Sequence, residues 1–216
     1  MKPTWWMVRA EGGTILEHFE DENVVALGWD TVPDLSEATT REMVRELYRD
    51  AHPEKSAGSA NNSIGMLYRF RVEMKAGDRV TTYDPERRIY WIGDLIGDYF
   101  FDDQLISGYP HVRRVGWIGK VGRDALRVES KNSLGSTLTV FKIRDEVASD
   151  LANALAGTPD PAGSDTEEDE ATAQVKEDYA AVAHELTKDR ILALGDREME
   201  HLVAAVLRAM GYRARV

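Results

Sequence analysis

Apolar and polar residues alternate in short stretches along the first two thirds of the chain, which is the pattern of half-buried β-strands. Turns rich in Gly, Pro and Asp separate these stretches. Gly93 and Gly97 interrupt the longest stretch, "IYWIGDLIGDYFF", and predict a bulge or a close backbone approach there. The pattern predicts strands at 4–10, 23–30, 79–84, 89–101 and 111–121, with later segments at 125–130 and 137–143.

Helical spacing of apolar residues occurs between and after these strands. Residues 36–48 read as a helix that begins at a serine and that Pro53 prevents from continuing. The small polar residues 54–63 predict a loop. Residues 64–74 fit a helix with one apolar stripe, and a strand is also compatible with them.

The last third of the chain has a different composition. Residues 157–173 are rich in Pro, Gly, Asp and Glu and predict a flexible linker that its acidic run extends. Two amphipathic helices are predicted behind it, at 174–192 and 194–210, with Gly211 as a C-terminal cap.

The pattern as a whole predicts an α+β protein with a small curled β-barrel flanked by helices over residues 1–146. Residues 147–173 are then the end of a helix and the acidic linker, and residues 174–216 form a helical tail.

Composition narrows the chemistry. The chain has no Cys, which excludes disulfides, thiolate zinc sites and a Cys nucleophile. Five scattered His residues do not form a metal-binding pattern, and no phosphate-binding glycine loop or nucleophile–base spacing occurs. No apolar run is long enough to cross a membrane and no signal peptide is visible, so we expect a cytoplasmic protein without a membrane partner.

The net charge of −11 argues against a sequence-independent nucleic-acid coat. The charge is uneven, however. Residues 1–146 carry 20 Lys and Arg against 24 Asp and Glu, whereas residues 147–216 carry 7 against 14. Residues 60–135 carry 12 against 10, so the middle of the chain can face phosphates.

Aromatic residues are concentrated in the strands. Core packing accounts for most of them, but the adjacent pairs Trp5–Trp6 and Tyr90–Trp91 lie on alternating strand positions. We therefore expect at least one residue of each pair to face outward or to line a cleft, where a base can stack on it.

Basic residues occur in pairs in the middle of the chain, and two interpretations remain open for them. They form either a solvated face paired with nearby carboxylates or a set of phosphate clamps. The candidates for phosphate binding are Arg69, Arg87, Arg88, Arg113, Arg114 and Lys131. The segment "SANNSIG" (59–65) is either a plain polar loop or a loop whose amides read a base edge.

The tail "LGDREMEHLVAAVLRAMGYRARV" resembles the opening helix of the Mrr-type restriction endonuclease domain, a PD-(D/E)xK nuclease fold. The resemblance rests on Met199 and Glu200 and continues through Gly211 and Tyr212. It implies an Mg²⁺-dependent DNA endonuclease that can form a homodimer through this part, with Glu200 at the helix position that can join the metal site. The metal ligands that should follow do not occur, so we expect this chain to have no catalytic or metal-binding residues, no cofactor and no nuclease activity.

The first part of the chain is similar to the EVE/PUA/YTH group of small barrels that accompany Mrr-like nucleases. The motifs that carry this resemblance are "WWMVRAEGG", "VVALGWD", "MKAGDRVTTYDP", "RRIYWIGDLIGDYFFD" and "YPHVRRVGWIGKV". It implies a curled β-barrel of the PUA/EVE type that flips a modified base into an aromatic pocket. The implied base-binding residues are Trp29, Asn61, Asn62 and Ser63, together with Trp6 and Tyr99.

Three functions fit these residues. The first is the DNA-recognition part of a modification-dependent, type IV-like restriction endonuclease in defence, with DNA carrying a modified cytosine as its partner. The second is an RNA- or single-strand-binding module without a modification preference. The third is a sensor domain for a nucleotide or a protein.

Overall fold

The computed structural model describes residues 2–136, 138–157 and 194–210. The chain divides into two compact units, Met1–Glu168 and Asp169–Val216, and each is described by itself. The linker predicted at 157–173, the helix predicted at 174–192 and the Gly211 cap lie almost entirely outside the described residues.

Six strands of the first unit form one mixed sheet in the order β2-β5-β4-β3-β1-β6. β1 and β3 are parallel, and the other neighbouring pairs are antiparallel. The strands are β1 (Trp5–Val8), β2 (Val24–Leu27), β3 (Arg79–Asp84), β4 (Ile89–Phe101), β5 (His111–Gly122) and β6 (Val140–Ile143).

The sheet is curled but not closed. β2 and β6 are its two edges, and no backbone pairing joins them among the residues that the structure describes. The prediction of an α+β domain built on a small curled sheet with flanking helices is therefore confirmed, with an open seam where a closed barrel would have a continuous ladder.

Helices flank this sheet on both faces. In the first unit they are α1 (Leu16–Asp21), α2 (Arg41–Ala51), α3 (Ala57–Tyr68), α4 (Val128–Ser133) and α5 (Asp145–Leu155), and α3 continues into a π-helical turn at Arg69–Glu73. The described part of the second unit contains α6 (Asp196–Ala209).

The N-terminus of α2 differs from the prediction. The helix begins at Arg41 instead of Ser36, because the hydroxyl of Thr40 caps it by accepting a hydrogen bond from the Met43 amide at 3.3 Å. It ends at Ala51, before Pro53, as expected.

The loop predicted at 54–63 is wrong, because most of this stretch belongs to α3. Its small polar residues have weak helix propensity. However, Ala60, Ile64 and Leu67 follow one another at helical spacing, and all three are buried in the core. Tertiary packing of this face stabilises the helix. Residues 125–130 likewise contribute to α4 and form no strand.

The sheet carries a hydrophobic core on each face, which corrects the prediction about adjacent aromatic residues. Trp5 and Trp6 are 5% and 3% exposed, and Tyr90 and Trp91 are 2% and 1% exposed. Trp6 and Trp91 belong to the larger core, whereas Trp5 and Tyr90 belong to a second core under α4 and α5. Both members of each pair are buried because neither face of the sheet is open to solvent at these positions.

The long strand β4 is irregular at its glycines, as predicted. Its register against β5 shifts between Ile92 and Gly93 and again between Leu95 and Tyr99. A β-carbon at Gly93 would collide with the side chain of Val115 on β5. Gly93 is therefore needed for the close approach of the two strands.

In the part of the chain that the structure describes, no helix is long and apolar enough to span a membrane. The same residues contain no cluster of three or more His, Cys, Asp or Glu arranged to bind a metal ion.

Candidate functional site

A cleft of about 570 Å³ opens at the seam of the sheet. We call it the seam cleft. Its lining comes from the end of β1 and the start of β6 on one side, and from the end of β2 and the start of β5 on the other. The lining residues are Arg9, Glu11, Gly12, Ala26, Leu27, Gly28, Trp29, Asp30, Gly108, Tyr109 and Thr139. Its volume lies within the range of small-molecule sites, roughly 300–1,000 Å³.

Two half-buried aromatic residues, Trp29 and Tyr109, line this cleft. Trp29 lies two residues after the end of β2 and Tyr109 lies two residues before the start of β5, so the antiparallel pairing of these strands brings the two residues to the same end of the sheet. A β-carbon at Gly28 would lie 3.7 Å from the Tyr109 ring, which shows how closely the two segments pack.

Two of the four non-glycine residues that have positive φ in the described part of the chain line the seam cleft. Trp29 has a φ of +59° and Glu11 a φ of +45°, although neither is a glycine. Gly12 and Gly108 also have positive φ, so four of the nine described residues with this conformation line the cleft. A left-handed residue other than Gly costs about 1–2 kcal/mol. Such strain persists where the surrounding structure enforces it, and it is concentrated at functional sites.

A chain of hydrogen bonds connects the segment that carries Trp29 to the sheet. The amide of Leu35 donates to the Tyr99 hydroxyl at 3.2 Å, and this hydroxyl lies 2.8 Å from Nδ1 of His111. Nε2 of His111 lies 3.3 Å from the carbonyl oxygen of Trp29. Because that carbonyl can only accept, Nε2 carries the hydrogen and Nδ1 accepts the hydrogen of Tyr99.

Burial fixes the charge state of this chain of hydrogen bonds. His111 is fully buried, and desolvation lowers its pKa to about 4. Desolvation also raises the pKa of Tyr99 above its usual value. Both side chains are therefore neutral at physiological pH, as the direction of the hydrogen bonds requires.

Arg71 provides a third anchor for the same segment. Its Nε donates to the Leu35 carbonyl at 2.8 Å, Nη2 donates to the Ser36 carbonyl, and the guanidinium lies 5.5 Å from the centre of the Tyr99 ring. Trp29 thus extends from a segment that several buried groups hold in one conformation.

The polar groups of the seam cleft differ in their availability. Nη2 of Arg9 donates to the carbonyls of Leu134, at 2.8 Å, and Ser136. The carboxylates of Glu11 and Asp30 are exposed, and neither has a hydrogen bond or an ion pair within the described residues. These two carboxylates are therefore acceptors that are free to meet a ligand.

Of the predicted base-binding residues, Trp29 alone lines the seam cleft. Trp6 is buried and its Nε1 donates to Asp78 at 3.0 Å, so it contributes to the core. Tyr99 is buried and contributes indirectly, through the hydrogen bonds that hold the Trp29 segment. Asn61 and Asn62 are exposed on α3 and Ser63 is half-buried there, on a helix instead of the predicted loop and outside the lining of the cleft.

The predicted phosphate-binding residues differ in their exposure to solvent. Arg113 is 1% exposed and donates to the carbonyls of Phe70, Gly97, Arg71 and Met74, so this guanidinium stabilises the end of the π-helical turn from inside the protein. Burial lowers its pKa to about 10, which leaves it charged at neutral pH. Its neighbour Arg114 is exposed, with its guanidinium 5.2 Å from the centre of the Phe100 ring.

The remaining four basic candidates keep some exposed surface. Arg69 and Lys131 are half-buried. Arg87 and Arg88, in the turn between β3 and β4, are 69% and 53% exposed and pair with Asp84 and Asp124. This turn lies beside the seam cleft, because a β-carbon at Gly13 would lie 3.0 Å from Pro85.

Sequence reasoning missed Arg9, Glu11, Asp30 and Tyr109. The turns "EGG" and "SGYP" that carry Glu11 and Tyr109 are visible in the sequence, but nothing local indicates that they meet. The curling of the sheet brings them together.

A second cleft, of about 390 Å³, is lined by Trp91, Trp117 and Lys120 among others. The Lys120 ammonium lies 3.6 Å from the centre of a Trp91 ring and 3.0 Å from Glu20. A cation of the chain itself thus occupies the aromatic face in this second cleft.

The fold and the seam cleft define a small α+β domain with an aromatic-walled cleft at the open seam of a curled sheet. The chain belongs to the family described as a domain of unknown function, DUF8426, whose model matches residues 6–144, well over half of the chain. No curated protein matches the sequence.

Solved structures that this chain resembles include two YTH domains. The Mmi1 YTH domain in complex with RNA is 10% identical, with a TM-score of 0.40 over 72% of this chain and 79% of that one. The YTH domain of the Zygosaccharomyces rouxii MRB1 protein in complex with N6-methyladenosine RNA is 12% identical, with a TM-score of 0.39 over 78% and 92%. Protein Atu2648 from Agrobacterium tumefaciens is 12% identical, with a TM-score of 0.32 over 74% and 99%. These likenesses are too low to carry an argument about function, which therefore rests on the seam cleft.

Proposed function

We propose that the first unit is a nucleic-acid reader that takes one nucleobase, turned out of its strand, into the seam cleft. The observation that supports this most is Trp29, a half-buried aromatic residue held at a φ of +59° by a firmly anchored segment. A flat aromatic wall beside a second aromatic residue suits a planar base, and stacking contributes roughly 1–3 kcal/mol per base.

The neighbouring turn between β3 and β4 suits the phosphates that flank such a base. Arg87 and Arg88 are exposed there. Arg88 pairs with the exposed Asp124, whereas Arg87 pairs with Asp84, whose carboxylate is buried. A surface ion pair contributes little to stability, so a phosphate can compete for the Arg88 guanidinium. Lys131, Arg69 and Arg114 lie outside the lining of the cleft and remain candidates for phosphate binding.

The more specific form of the proposal is that the base is a modified cytosine in DNA, read on behalf of a modification-dependent restriction endonuclease. The support is the resemblance of the tail to the first helix of an Mrr-type nuclease domain. The helix expected there corresponds to α6, which contains Glu200. Mg²⁺, homodimer formation and a cytoplasmic location belong to this nuclease hypothesis.

The test is a binding titration with short labelled oligonucleotides that differ at one central base. Cytosine, 5-methylcytosine and 5-hydroxymethylcytosine are compared in duplex DNA, single-stranded DNA and RNA at low salt. We expect a modified base to bind more tightly than cytosine, and Trp29→Ala and Tyr109→Ala each to weaken binding about tenfold.

The control variant is Ile118→Ala, which changes an exposed residue of the second cleft and should leave affinity unchanged. Preference for RNA over DNA would support the RNA-binding alternative. Equal affinity for every oligonucleotide, or full binding by Trp29→Ala, would contradict the proposal.

A further inference from the structure

We infer that the seam cleft selects a base with an amino group on its edge, and that Glu11 and Asp30 determine this specificity. This inference rests on the proposed function. It concerns which bases can enter, because the same aromatic walls would stack equally well against any planar ring.

The inference starts from the charged side chains that line the cleft. Arg9 directs Nη2 at the carbonyls of Leu134 and Ser136, so this part of its fork is occupied by the chain itself. Glu11 and Asp30 have no hydrogen-bond or ion-pair partner within the described part of the chain. An ionised carboxylate accepts hydrogen bonds and donates none.

The position of each carboxylate is set by the backbone. Asp30 directly follows Trp29 and lines the same cleft. Glu11 lies in a tight turn at a φ of +45°, where its carbonyl accepts the Thr14 hydroxyl at 3.0 Å and the Gly13 amide donates to Ala10 at 2.8 Å. Both carboxylates therefore belong to short, well-defined segments on opposite sides of the cleft opening.

The two carboxylates, one on each side of the cleft, discriminate between bases by the groups on the edge of each base. Cytosine and adenine present an exocyclic amino group, which donates to a carboxylate. Thymine and uracil present a carbonyl oxygen at the corresponding position, which a carboxylate repels because both atoms are acceptors. A phosphate is also repelled, so the sugar–phosphate backbone has to remain outside the cleft.

The sharpest test compares 5-methylcytosine with thymine in the same oligonucleotide. Both bases carry the same ring methyl group. They differ at position 4, where an amino group in one stands for a carbonyl oxygen in the other, and at N3, which accepts in 5-methylcytosine and carries a hydrogen in thymine. We expect the 5-methylcytosine oligonucleotide to bind about tenfold more tightly. Adenine and hypoxanthine form a second pair with the same difference, and the adenine oligonucleotide should bind more tightly.

The double variant Glu11→Gln with Asp30→Asn should reduce the preference for 5-methylcytosine to less than about threefold, because an amide both donates and accepts. The matched control is Glu37→Gln with Asp103→Asn, which removes the same two charges from exposed residues outside the cleft. The control should keep the tenfold preference and show the same general gain in affinity from lower negative charge.

The outcomes separate this inference from the proposed function. If Trp29→Ala abolishes binding but the double variant keeps the full preference for 5-methylcytosine, the inference is overturned and the base-binding function stands. If no oligonucleotide binds, a trimethyl-lysine peptide is the next probe, since aromatic residues with carboxylates also suit a methylated ammonium. Binding of that peptide alone would overturn both.

Discussion

The hydroxyl of Tyr99 on β4 and Nδ1 of His111 on β5 lie 2.8 Å apart inside the protein, and together they connect the sheet to the Trp29 segment. The Tyr99 hydroxyl accepts from the Leu35 amide and donates to His111, which in turn donates to the Trp29 carbonyl. A residue outside the cleft thereby sets the position of a residue inside it.

Removal of the Tyr99 hydroxyl should destabilise the protein. Tyr99→Phe leaves the Leu35 amide and Nδ1 of His111 without their buried partner, so we expect the free energy of unfolding to fall by about 1–3 kcal/mol. Urea unfolding measures this free energy. Tyr83→Phe is the control, because the half-buried Tyr83 hydroxyl has no hydrogen bond within the described residues. A loss as large for Tyr83→Phe would contradict the assigned role of the Tyr99 hydroxyl.

Stability should depend on pH through His111. Its pKa is about 4 in the folded protein, below the ordinary value of 6.5, so the unfolded chain binds more protons between these values. The free energy of unfolding should therefore decrease as the pH falls from about 6.5 to 4, by up to about 3 kcal/mol from this group. His111→Gln should be less stable at neutral pH and should show a shallower decrease over this window. Parallel curves for the two proteins would refute the prediction.

Trp29 should be better replaced by Gly than by Ala. At a φ of +59° a β-carbon is strained and Gly is not, so Trp29→Gly should be more stable than Trp29→Ala by about 1 kcal/mol, as measured by thermal unfolding. Both variants should show the same roughly tenfold loss of affinity, which separates the effect on the ligand from the effect on the fold. The control is Glu17 in α1, where Glu17→Ala should be more stable than Glu17→Gly because Gly disfavours a helix.

Arg113 and Arg114 should respond differently to replacement by Lys. The single ammonium of a lysine could not satisfy the four carbonyls that the Arg113 fork reaches, two of them through buried hydrogen bonds, so Arg113→Lys should lower the free energy of unfolding by about 2–4 kcal/mol. Arg114→Lys changes an exposed residue and should alter it by less than about 0.5 kcal/mol. Chemical denaturation of the two variants provides the measurement, and similar losses would exclude the structural role of Arg113.

Local patterns predicted the strands and the bulged glycines because alternation and glycine spacing act over a few residues. Gly93, for example, must accommodate Val115 on the neighbouring strand. The same patterns failed at α3, where burial of Ile64 and Leu67 outweighs the weak helix propensity of "SAGSANNS". They also could not distinguish the buried Arg113 from the exposed Arg114, since both are basic strand residues.

Of the residues that line the candidate site, the sequence predicted Trp29 alone, and it did so through the resemblance to a family. Glu11 and Tyr109 are about a hundred positions apart in the sequence and meet because the sheet curls until its two edges approach. No periodicity of a single strand contains that information.

The residues that line the seam cleft are largely different from the residues that form the two hydrophobic cores. The cleft is built largely from turn residues at the strand ends, whereas both hydrophobic cores lie along the strands themselves. Residues in such turns can change without disturbing a core. Exchanging a few residues at the Glu11, Asp30 and Tyr109 positions would therefore change the chemistry of the cleft while the same framework continues to fold in the same way.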